Sequence, residues 1–98
     1  MTTKKTKTKA KRGTLNNLVL SALGAKIAHE LAPVTLSSAA AQGISLPLDY
    51  DNLLVVKQTS ALECQKKLRR QWDSLSWDRQ DAFWRAWSEV MRSHGIVH

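Results

Sequence analysis

Residues 76–95, SWDRQDAFWRAWSEVMRSHG, decide the fold class, because every local signal in them describes one amphipathic helix. Ser76 is an N-cap residue, and Asp78 and Asp81 follow where carboxylates favour the positive end of the helix dipole. At about 100° per residue, Trp77, Phe83, Trp84, Trp87, Val90, Met91 and His94 fall within an arc of roughly 140°. Asp78, Asp81, Arg85, Ser88, Glu89 and Arg92 take the opposite face. Asp81 and Arg85 stand in the favourable acid-first i,i+4 order. Arg92 and His94 occupy the last turn, and Gly95 follows as the residue that leaves the helix with positive φ. Agreement among propensity, caps, charge order and apolar period is itself evidence for a helix over about 77–94.

Working backwards, Ser60-Ala61-Leu62-Glu63 has the form of a capping box, with the Ser capping the first turn and the Glu reaching back. Ala61, Cys64, Leu68, Trp72 and Leu75 then share one side of a helix over about 61–74. These two segments form a C-terminal helix-turn-helix hairpin. A further helix is expected at about 15–31, with Thr14 as cap and Leu15, Leu18, Val19, Ala22, Leu23, Ile27 and Leu31 at helical spacing. Pro33 is read as its end, since a proline pushes the residue before it out of the α region. That reading leaves His29 and Glu30 as polar residues at the helix end. Gly24 weakens this helix by about 1 kcal/mol relative to Ala, so packing from outside must hold it. It is expected to lie across the aromatic face of the hairpin, which would otherwise be exposed.

The connecting segment 34–58 is harder to read. Thr35–Gln42 suggests a short helix stopped by Gly43. Pro47 and Asp49-Tyr50-Asp51-Asn52 are turn chemistry. Leu53–Val56 fits either a short strand or a buried helical turn, with irregular or helical structure preferred. The fold class is therefore all-α: a small helical domain over 14–98, preceded by a basic arm over 1–13. That arm, MTTKKTKTKAKRG, has little to bury against the entropy cost of ordering and is expected to be disordered in the free protein.

Charge divides the chain in the same place. The net charge is +7, and Lys4, Lys5, Lys7, Lys9, Lys11 and Arg12 carry six positive charges with no acid among them. The other nine Lys and Arg residues face eight Asp and Glu, so the body is close to neutral. A cationic arm on a neutral body points to a tethered electrostatic contact, with nucleic acid, DNA in particular, as the expected partner. A second basic run, Lys66, Lys67, Arg69 and Arg70, would fix orientation on a phosphate backbone, or else form an ordinary solvated helix face.

Trp72, Trp77, Trp84 and Trp87 could stack on bases, but their spacing is that of a core stripe. Trp77, the first residue after the cap, is the candidate partner anchor. An aromatic arc this broad could also serve a homodimer or a protein partner, and an adaptor or inhibitor docking through the hairpin is the alternative function. The segment Trp72-Asp73-Ser74-Leu75-Ser76, followed by Phe83, resembles the second and third helices of high-mobility-group DNA-binding boxes over about thirty residues. Those domains carry a W-x-x-L-S turn and then an aromatic residue on the next helix. Two features depart from the family pattern: the first helix here has no aromatic residue, and segment 34–58 is longer than the family's first connection.

Catalysis and cofactors are not expected. Cys64 lies on the apolar side of its helix, where a small buried thiol is commoner than a nucleophile. One cysteine forms no internal disulfide. His94 and His98 lack the third and fourth ligands that a zinc site needs. No glycine-rich phosphate loop is present. With no run of 18 or more apolar residues, no membrane span is expected. An intracellular location, cytoplasmic or nucleoid-associated, is the expectation. Organellar import stays open, because residues 1–29 contain no acid, although the arm is Lys/Thr-rich rather than Arg/Ser-rich.

Overall fold

The fold comes from a computed structural model, which describes residues 16–69 and 71–98. Among the described residues it is all-α, with three helices: α1 (Asn17–Gln42), α2 (Tyr50–Leu68) and α3 (Trp77–Ser93). A 3₁₀ turn, Trp72–Ser74, joins α2 to α3. Helix α3 matches its sequence pattern closely. The Ser76 side chain accepts the Arg79 N–H, Arg85 Nε donates to Asp81 at 2.8 Å, and Gly95 has φ 75°. Phe83, Trp87 and Met91 are fully buried from its apolar arc, while Trp84 and Val90 are half-buried.

Helix α1 departs from expectation at both ends. Asn16 provides its cap, accepting the Val19 N–H at 3.0 Å; Thr14 lies outside the described residues. The helix runs through Pro33 without ending, so the separate helices expected at 15–31 and 35–42 are one. A proline in a helix interior forfeits one hydrogen bond and costs roughly 3 kcal/mol. Here Pro33 is on the exposed side, away from the packed face that buries Ala32 and Ala39. His29 and Glu30 are consequently mid-helix residues. Gly43 does end the helix, with φ 69°; its N–H bonds to Ala40 and the Ile44 N–H reaches Ala39 in the 6→1 closure.

Helix α2 corrects the reading of the middle segment. It starts at Tyr50, not near Ala61, and absorbs Leu53–Val56, so the strand alternative falls. It also ends at Leu68 rather than near 74, with Arg69 left-handed and Trp72 on the separate 3₁₀ turn. Asp49 caps it by accepting the Asn52 N–H at 2.9 Å. The supposed turn cluster is thus a cap and a first helical turn, which use the same side-chain-to-backbone chemistry. Ser60 is no cap at all: it lies within α2, fully buried.

Helix α1 is the centre of the packing. Its N-terminal half runs in the same general direction as α3: Ser21 Oγ lies 3.4 Å from the Ala82 carbonyl, and the His29 and His94 rings meet edge-on at 6.3 Å. At the crossing, a Cβ on Gly24 would overlap the Phe83 carbonyl oxygen. This close approach explains a mid-helix glycine that propensity disfavours. Helix α2 runs antiparallel to α1, as the Lys67–Glu30 contact at 3.7 Å shows at one end. At the other end, Asn52 faces Gln42 across a groove. The Leu48 N–H donates to the Ile96 carbonyl at 2.8 Å, tying the α1–α2 loop to the buried C-terminal segment.

Candidate nucleic-acid interface

Three of the four tryptophans serve the core. The Trp87 indole N–H donates to Ser60 Oγ at 2.8 Å, and the Ser60 hydroxyl donates to the Val56 carbonyl at 2.8 Å. Both polar groups are satisfied with no water needed, which removes the 1–3 kcal/mol cost of a buried orphan donor. Trp87 then meets Trp84 edge-to-face at 5.2 Å, and Trp84 meets Trp72 at 5.6 Å. Phe83 closes the cluster against both Trp72 and Trp84. Lys57 Nζ sits 5.4 Å above the Trp84 ring, covering its outer side with a cation–π contact.

Trp77 is different. It is 74% exposed at the first turn of α3. The first turns of α1 and α3 are neighbours, since Asn16, Asn17 and Leu18 share a shallow open depression with Ser76, Asp78 and Arg79. Leu18 is 78% exposed there. Residues 1–15 join the body at Asn16, so the basic segment connects at the end of the molecule that carries Trp77. Asp78 and Arg79 oppose each other in charge at this end. The body itself therefore adds little net attraction for phosphate.

The expected basic residues fare unevenly. Lys4, Lys5, Lys7, Lys9, Lys11 and Arg12 lie outside the described residues, and so does Arg70. Lys66 pairs with Glu63 at 3.3 Å and Lys67 with Glu30 at 3.7 Å. Arg69, exposed in the left-handed conformation with φ 54°, makes no ion pair among the described residues. Exposed ion pairs are worth roughly 0–1 kcal/mol, so both lysines can exchange a carboxylate for a phosphate. Two nearby glutamates nevertheless lower the positive potential of this run. Glu30 was out of reach of sequence reading, being 37 residues from Lys67, whereas Glu63, three residues before Lys66, was legible as a helical i,i+3 partner.

Cys64 is fully buried, and desolvation pushes its thiol up to about 11, so it stays protonated at neutral pH. Among the described residues, no group of three or more His, Cys, Asp or Glu is placed to hold a metal ion. No described helix is long and apolar enough to cross a membrane. Comparison with family models, with curated proteins and with solved structures returned no match. The likeness of Trp72–Ser76 to high-mobility-group boxes thus stays confined to a 3₁₀ turn, the buried Leu75 and the Ser76 cap.

Proposed function

We propose that the chain is a nucleic-acid-associated accessory protein whose basic arm supplies attraction to phosphate, DNA above all, and whose Trp77 end contacts the bound strand. The observation that carries this reading is the charge division: six cations and no acid in residues 1–13, against a body of nine basic and eight acidic residues. Each lysine that neutralises a phosphate releases a condensed counterion, which gives affinity without base recognition. Trp77 and Leu18 present an exposed apolar surface where the arm joins, and an exposed indole can stack on an unpaired base. Arg69 and the exchangeable Lys66 and Lys67 lie on a separate stretch of surface and add a second phosphate contact.

Fluorescence anisotropy against duplex and single-stranded DNA tests this directly. The full chain binds both at low salt, deletion of residues 1–13 removes most of the affinity, and Trp77→Ala weakens the single-stranded complex selectively. Absence of low-salt binding, or binding indifferent to the deletion, overturns the proposal. A second reading, an adaptor that docks on another protein, draws support from the same exposed Trp77, since aromatic residues are common interface anchors. A pull-down with and without nuclease separates the two: partners lost on nuclease treatment support nucleic acid, and partners retained support the adaptor.

A further inference from the structure

The face of α1 that packs on α3 continues past the end of α3. Leu20, Gly24, Ile27 and Leu31 recur along it, and the same side carries on through Val34, Ser38 and Gln42. Over this second stretch no α3 residue covers it. The stripe instead forms one wall of an open groove of about 360 Å³, whose other wall is Asn52, Val55, Val56 and Thr59 of α2. Ile44 and Leu48 line it from the connecting loop. Val34 and Val55 are 62% and 59% exposed, and Leu62, one turn beyond Thr59, is 57% exposed.

We infer that this groove is the interface of a homodimer, in which the antiparallel α1–α2 hairpins of two copies pack face to face as a four-helix bundle. Two antiparallel helices have one face left to cover, and a second hairpin supplies two helices at the usual bundle geometry. A two-fold interface must be self-complementary, because near the axis each residue meets its own copy. Charged residues there would repel. None of the twelve residues lining the groove is charged, in a chain where 23% of residues are. The polar ones, such as Thr35, Ser38, Gln42 and Asn52, are neutral and can pair with themselves across an axis.

The chain's own arm is a poor occupant, since beyond Met1 residues 1–13 contain no large apolar side chain to fill the groove. A face about 18 Å long and two helices wide buries on the order of 1,000 Å² in total against its copy. That is the lower edge of specific interfaces, so the dimer is expected to be a weak one that forms only at high protein concentration. The inference is independent of the proposed function, because the groove's far end lies about 39 Å along the 26-residue α1 from the arm's junction.

Sedimentation equilibrium of the full chain, without nucleic acid, from about 5 to 500 µM decides the matter. The mass is expected to rise from 11.0 kDa towards twice that value. Val34→Glu with Val55→Glu places four carboxylates in the interface and raises the dissociation constant by roughly 30-fold or more. Both positions are exposed in the single chain, so circular dichroism and tryptophan emission should be unchanged. Leu18→Glu, equally exposed but at the opposite end, leaves the association intact. A mass of 11.0 kDa at the highest concentration overturns the inference. So does a dimer that survives the double substitution, or one abolished by Leu18→Glu or Trp77→Ala.

Discussion

The two halves of α1 belong to one continuous helix but live under different rules. The N-terminal half is pressed against α3, with Leu20, Ile27 and Ala28 fully buried and Gly24 against the Phe83 backbone. The C-terminal half runs beside α2 and the connecting loop; it buries Ala32 and Ala39 but leaves Val34 largely in water and carries Pro33 on its outer side. Both halves contain a residue that helix propensity disfavours, for opposite reasons. Gly24 is required because nothing larger fits beneath α3, whereas Pro33 is tolerated because nothing presses on it. The contrast shows where tertiary packing overrides propensity and where propensity is left to stand alone.

Substitutions break or sharpen that contrast. The largest effect is expected at the buried aromatic cluster: Trp87→Ala removes a fully buried indole and orphans Ser60, costing about 3–5 kcal/mol in urea or thermal unfolding. Next comes Gly24→Ala, where a Cβ must displace backbone; despite the better helix former, it should destabilise by about 1–3 kcal/mol. Pro33→Ala is the mirror experiment. It improves propensity in the loosely covered half with nothing to collide with, and should stabilise by about 1–2 kcal/mol after the loss of proline's effect on the unfolded chain. Equal signs for the two substitutions would refute the distinction between the halves. The smallest effect belongs to Trp77→Ala, expected within about 0.5 kcal/mol of the parent in unfolding. That variant should also lose the fraction of tryptophan emission that acrylamide quenches most readily.

How legible this was in the sequence depends on whether a residue's role is local. Helix α3 could be read end to end because its cap, its Asp81–Arg85 pair and its Gly95 stop all act within a few residues. The packing of a first helix over the aromatic face followed from the apolar arc. Exposure of Trp77 was foreseeable from its place beside the cap. The start of α2 was misread because an Asp at a helix cap and an Asp in a turn make the same hydrogen bond. Ser60 looked like a cap for the same reason; only Trp87, 27 residues away, reveals its actual use. A signal did exist: Leu53, Val56, Ser60 and Cys64 recur at helical spacing straight through the supposed boundary. The groove between α1 and α2 left no such trace, because it arises from where α3 ends in space.

In contrast to the body, whose acids and bases almost cancel, residues 1–13 are cationic throughout. The salt dependence of DNA binding measures that division most directly. Six arm cations at about −0.9 each, with Arg69 and its neighbours adding about −1 or −2, predict a slope of log affinity against log salt of about −6 to −7 for the full chain on duplex DNA. Deleting residues 1–13 should flatten that slope to about −1 or −2, the remainder coming from Arg69 and its neighbours. A steep slope that survives the deletion would place the phosphate contacts on the folded body and contradict the account.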